Sequence, residues 1–116
     1  MSKKLELIYI AGPYSAETPE LIRKNVETAK VAGQEILRRG HACICPHSMT
    51  HDWDIGTGLP YEVFLETDLE ILRRCDAILM LPGWSKSRGS VAEFQEAGCL
   101  GLKRYLSIEE IKVVGK

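Results

Sequence analysis

Two carboxylates and a serine-rich loop hold the chemistry this sequence can do. Glu93 closes the run LPGWSKSRGSVAEF, Leu81 to Phe94. Asp68 stands upstream, one position before Leu69 in a stretch of helical apolar spacing. Two carboxyl groups in one cleft suit glycosyl transfer, with one as nucleophile and the other as acid and base. Taken alone, Glu93 reads first as an acid that helps a helix start. A helix capped by Gly89-Ser90 places it in the first turn, where the dipole favours the ionised form and a low pKa. Such a carboxylate suits a nucleophile or charge stabiliser better than a general acid. Asp68 either faces solvent or points toward the cleft. Asp76, beside Cys75, reads as capping or turning the chain.

Pro82–Ser90 joins hydroxyls from Ser85, Ser87 and Ser90 to positive charge on Lys86 and Arg88. The free N–H groups of a helix starting near Ser90 complete an anion cradle, with phosphate as its natural occupant. The alternative is a capped, solvated loop. The spacing is not that of a P-loop. The middle loop, CICPHSMTHDWD, contains one pair with zinc-type spacing, His47 and His51. Cys43 and Cys45 share a strand face and are assigned to the core, and no metal is expected. His47 and Trp53 are assigned to a base or sugar pocket.

The elements that must position these residues alternate strand and helix. Leu5–Ala11 is a compact apolar run, hence the first strand. Thr18-Pro19-Glu20 opens a helix with a capping hydroxyl, a proline and an acid, and Gly40 after Arg38-Arg39 stops it. Ala42–Cys45 is a short second strand. Pro60 opens a second helix, whose apolar stripe runs from Val63 or Phe64 through Leu65 and Leu69 to Leu72. Ala77–Leu81 is apolar throughout, as in a strand buried on both faces. A third helix ends near Gly98–Gly101, Lys103–Leu106 is the fourth strand, and Ser107–Glu110 fits a capping box for a short last helix.

This alternation predicts an α/β fold: a small doubly wound, flavodoxin- or Rossmann-like parallel sheet of four to five strands with helices on both faces. Ligands bind such sheets beyond the carboxyl ends of the strands. Gly12–Thr18, Pro46–Leu59 and Pro82–Ser90 all fall at that edge.

Composition bounds the rest. A length of 116 residues fits one domain. With 45% hydrophobic and 27% charged residues and a net charge of −1, no global basic excess points to a nucleic acid polymer or an anionic membrane. The start, MSKKLELIYIAG, reads as strand and not as signal, because Glu6 interrupts a run of strand length. The four cysteines follow no disulfide spacing and read as free buried thiols in a reducing cytosol.

With these residues in place, the sequence resembles the nucleoside 2-deoxyribosyltransferase family. That family includes 2'-deoxynucleoside 5'-phosphate N-hydrolases and short uncharacterised bacterial and phage proteins. The resemblance spans about Leu7 to Leu106. It rests on IYIAGPYS, DLEILRRCDAILML and SRGSVAEFQEAGCLG, with PHS nearer the short members. It implies that Glu93 is the nucleophile at C1' and that Asp68 assists departure of the base. It also implies that Tyr9 stands beside the nucleophile. Ser87 takes the place of the aspartate by which the transferases hold a free 5'-hydroxyl. The phosphate-specific hydrolases have serine there. Ser87, with Lys86, Arg88, Gly12, Ser15, Gly89 and Ser90, would then hold a 5'-phosphate. In the characterised enzymes glycines stand where this chain has Ser90, Val91 and Ala92.

The expected activity is cleavage of the base–deoxyribose bond of a 2'-deoxynucleoside 5'-monophosphate, with no metal or organic cofactor. The alternatives are transfer of deoxyribose between bases and a non-catalytic nucleotide sensor. The expected partner is a small-molecule nucleotide. The cysteine pattern implies a cytoplasmic protein, and the resemblance further implies a homodimer or higher homo-oligomer.

Overall fold

The computed structural model describes residues 5–13, 16–46 and 56–114. Four parallel strands form one sheet: β1 (Leu7–Ala11), β2 (Ala42–Ile44), β3 (Ala77–Met80) and β4 (Lys103–Tyr105). Their order is β2-β1-β3-β4. Tyr9, at the centre of β1, pairs with Ile44 on one side and Ile78 on the other. Three α-helices lie among the described residues: α1 (Pro19–Arg38), α2 (Tyr61–Leu72) and α3 (Arg88–Leu100).

The pleat divides the core into two layers. Ile8 and Ile10 of β1, with Ala77 and Leu79 of β3, pack on Ala29 and Ile36 of α1 and on Ile111. Tyr9, Ala11, Ile78 and Met80 face the other way, onto Leu72 and Ala97 from α2 and α3. Helices therefore cover both faces, as the strand–helix alternation predicts. The interior strands are apolar at every position because both faces are buried.

Local signals act where they are expected. The Thr18 hydroxyl accepts from Leu21 N at 3.2 Å, with Pro19 opening α1. Gly101, at φ 76°, ends α3. Asp76 does turn the chain: its carboxylate accepts the Leu7 N–H at 2.8 Å and ties the start of β3 to β1. Cys43 and Cys45 pack against the α1 side of the core. No helix among the described residues is long and apolar enough to cross a membrane.

Three expectations need correction. The third helix begins at Arg88, so Ser87 is the cap, while Gly89 and Ser90 lie inside the first turn. Ser107–Glu110 leads only to a single 3₁₀ turn with no capping hydrogen bond. The chain leaves that turn in extended conformation at Ile111, which is 1% exposed, so burying Ile111 prevails over lengthening the helix. Of the two residues that could begin the second helix's apolar stripe, Phe64 is half-buried and Val63 is exposed. Of the four cysteines, Cys75 alone is fully buried, Cys43 and Cys45 are half-buried and Cys99 is exposed.

Candidate active site

The strand order reverses between β1 and β3. The chain leaves β1 for α1 on one face and leaves β3 for α3 on the other. That divergence opens a crevice at the carboxyl ends of the two central strands. Gly12 follows β1 there, and a Cβ on it would stand 2.7 Å from Leu81 Cβ. Only glycine lets the two strand exits come so close. A cavity of about 910 Å³ opens at this point, walled by α2 and α3. That size suits a small-molecule ligand.

The floor of the cavity is acidic. Glu93 is 7% exposed, and its carboxylate accepts a 2.5 Å hydrogen bond from the Tyr9 hydroxyl. Asp68 lines the same cavity from α2. Burial pushes Glu93 up to about 7. The Tyr9 hydrogen bond opposes that shift, and the charge of Asp68 adds to it. Burial likewise pushes Asp68 up to about 6. The Tyr9 phenol is held far above its ordinary value, first by burial and then by the charges of Glu93 and Asp68. It therefore stays a donor at every working pH. Two interacting carboxyls of this kind share a proton near neutrality.

The low pKa expected for Glu93 is thus overturned. Because α3 starts at Arg88, Glu93 is its sixth residue, beyond the turn where the dipole is strongest. Burial then decides the sign.

One end of the cavity, its mouth, gathers two basic side chains, a serine hydroxyl and the start of α3. Arg88 and Gly89 open α3, directly after a single 3₁₀ turn, Trp84–Lys86. The Ser87 hydroxyl accepts from Ser90 N at 3.3 Å, which leaves its own proton free to donate. Lys86 and Arg88 line the same end. Tyr61, the first residue of α2, leans across: the Arg88 guanidinium lies 5.5 Å from its ring centre. A Cβ on Gly89 would meet the Tyr61 hydroxyl at 2.8 Å, so glycine is what admits the phenol. From Gly89 to Glu93 the helix rises about 6 Å, which sets the span between mouth and floor.

The sequence matches, over residues 6–105, a family described as a domain of unknown function (DUF4406). The chain belongs to the DUF4406 family. No curated protein matches it.

Tyr9, Asp68, Glu93, Lys86, Ser87, Arg88, Gly89, Ser90 and Gly12 all line the one cavity, drawn from three separate stretches of sequence. Ser15, His47, His51 and Trp53 lie outside the described residues. Among the described residues, no three His, Cys, Asp or Glu side chains are grouped to hold a metal ion.

Tyr61, which no sequence motif singles out, and Phe64 and Leu65 of the apolar stripe line the cavity wall. The usable signal was helical spacing. Positions 61, 64, 65 and 68 fall on one helix face, so placing Asp68 in a cleft places Tyr61, Phe64 and Leu65 there with it.

Proposed function

We propose that the chain is an N-glycosidase that cleaves the base–deoxyribose bond of a 2'-deoxynucleoside 5'-monophosphate. One observation carries this reading: a buried glutamate, hydrogen-bonded by Tyr9 and coupled to Asp68, at the floor of a cavity whose mouth is a helix N-terminus. Paired carboxyls are the equipment of glycosidic cleavage. The helix start, Ser87, Lys86 and Arg88 suit a phosphate. The span between them fits a pentose held by its 5'-phosphate with the anomeric carbon at Glu93. The resemblance of the sequence to nucleoside 2-deoxyribosyltransferases points the same way.

In the proposed reaction the phosphate docks on α3, and Phe64 and Leu65 offer the base an apolar wall. Glu93, ionised, attacks C1' while Asp68 gives its proton to the departing base. The Tyr9 hydroxyl holds the Glu93 carboxylate in one orientation. Asp68, now ionised, then takes a proton from water as that water attacks C1'. Glu93 is released, and the products are free base and 2-deoxyribose 5-phosphate. Every proton in this cycle has a named donor and acceptor within the chain, its substrate and one water.

The assay is release of free base from each of the four common deoxynucleoside 5'-monophosphates, with Glu93→Ala as the control. Release that depends on Glu93 supports the proposal. Equal rates in variant and wild type, or release from none of the four, refute it.

Phosphate selectivity is tested at Ser87. Aspartate caps a helix as well as serine does, so Ser87→Asp keeps α3 intact while placing negative charge at the mouth. Affinity for the nucleoside monophosphate is expected to fall on the order of 10- to 100-fold. Affinity for the unphosphorylated nucleoside should change little. Titration calorimetry with both ligands reads the difference, and an equal loss for both would place the phosphate elsewhere.

A further inference from the structure

Ser90 carries an oddity that the anion cradle does not use. It is 2% exposed, and among the described residues its Oγ is a buried side-chain oxygen with no hydrogen-bond partner. A hydroxyl inside a helix usually relieves such isolation by bonding back to the carbonyl one turn earlier. Two threonines of this chain do so: Thr28 donates to Lys24 O at 3.0 Å and Thr67 to Val63 O at 2.9 Å. Ser90 does not. Its backbone N–H is already satisfied by Ser87 Oγ, so the side chain is not needed to cap the helix. Alanine would occupy the same place without burying an unpaired oxygen. Buried polar groups left unpaired are rare, and each calls for an explanation.

The position supplies one. Ser90 forms part of the cavity wall, one residue past Gly89 at the mouth. It lies three residues before Glu93, hence on the same helix face and about 4.5 Å along the axis from it. A pentose held by its phosphate at the mouth, with its anomeric carbon at the floor, places the carbon bearing its 3'-hydroxyl between the two. A serine hydroxyl reaches three staggered positions by rotation about χ1 alone, and it can donate to or accept from a sugar hydroxyl. We propose, resting on the glycosidase reading above, that Ser90 is a specificity-determining residue whose hydroxyl pairs with the sugar 3'-hydroxyl of the substrate. The ligand-free protein keeps a polar group unpaired, and the correct sugar satisfies it.

A cycle of two proteins and two ligands tests this. Wild type and Ser90→Ala are each titrated with a 2'-deoxynucleoside 5'-monophosphate and with its 2',3'-dideoxy counterpart. The melting temperature of each ligand-free protein is measured alongside. Wild type is expected to prefer the hydroxylated ligand roughly 5- to 100-fold. In Ser90→Ala that preference should collapse to nearly nothing, with dideoxy affinity unchanged. Ligand-free Ser90→Ala should melt no lower than wild type, because the oxygen it lacks had no partner.

A preference of equal size in both proteins overturns the pairing. A variant that loses affinity for both ligands equally assigns the hydroxyl to the phosphate instead, and also overturns it. A clear drop in the melting temperature of the ligand-free variant would show a structural role and count against it. If wild type binds neither ligand, the glycosidase reading itself fails, and that result is distinct from the other three.

Discussion

Glu93→Gln is expected to abolish base release and also to raise the melting temperature of the ligand-free protein at about pH 8. Loss of the nucleophile should cost on the order of 10⁴-fold or more in kcat. The gain in stability follows from burial. Glu93 is 7% exposed and titrates at about 7 in the folded chain, raised from 4.5. The folded state therefore binds more protons than the unfolded state between these values, and stability falls as pH rises through that window. Above it, the folded chain bears a buried charge whose penalty is on the order of 3 kcal/mol, at about 1.4 kcal/mol per pKa unit. Glutamine has no charge to bury, yet its oxygen can still accept from Tyr9. Its advantage should be absent near pH 4.5, grow through neutrality and level off above about pH 7. Thermal melts across that range read it without any substrate. A variant less stable than wild type at pH 8 would mean that the ionised carboxylate is well solvated or well paired in the fold.

The second large effect is in the pH profile of base release. The working form of the pair holds its one proton on Asp68, whereas values of about 6 for Asp68 and about 7 for Glu93 place it mainly on Glu93. The working form is thus the minor tautomer of the singly protonated pair, and its population, and with it activity, still peaks between the two values. It should decline on both sides. Asp68→Asn is expected to lower kcat by roughly 10²- to 10⁴-fold, the usual worth of a general acid. It should also change the shape of the profile. The alkaline fall disappears, because no acid remains to lose its proton. The acid limb moves to lower pH, because the charge of Asp68 is one of the causes that raise Glu93. A profile of unchanged shape in the variant would remove Asp68 from proton transfer.

The parts of the molecule legible in its sequence are those fixed by local rules. The strands of the sheet show as short apolar runs because an interior parallel strand is buried on both faces. Thr18-Pro19 marks the start of α1 because capping is a local bond. The carboxyl edge of the sheet is predicted as the ligand side because topology alone places it there.

The remainder depends on contacts between distant segments. No local pattern states that Tyr61 reaches Gly89. An apolar helix stripe looks the same whether it packs on a core or walls a cavity, so the stripe alone does not place Phe64 and Leu65 at the cavity. The sign of the Glu93 shift is set first by its burial, which no local pattern displays. The unpaired oxygen of Ser90 exists only in three dimensions.

The opening loop gains a division of labour. Ser87 caps α3, Gly89 makes room for Tyr61, and the buried Ser90 hydroxyl in the cavity wall has no hydrogen-bond partner among the described residues. Glu93, one turn deeper, is held by Tyr9. The most direct test is for a bond between Glu93 and the sugar. Wild-type protein is mixed with a deoxynucleoside 5'-monophosphate, quenched in acid during turnover and weighed intact. A nucleophilic glutamate predicts a mass increment of one 2-deoxyribose 5-phosphate residue, mapped to the peptide containing Glu93 and absent from Glu93→Gln. An unmodified protein while base accumulates, or an increment that persists in Glu93→Gln, would contradict it.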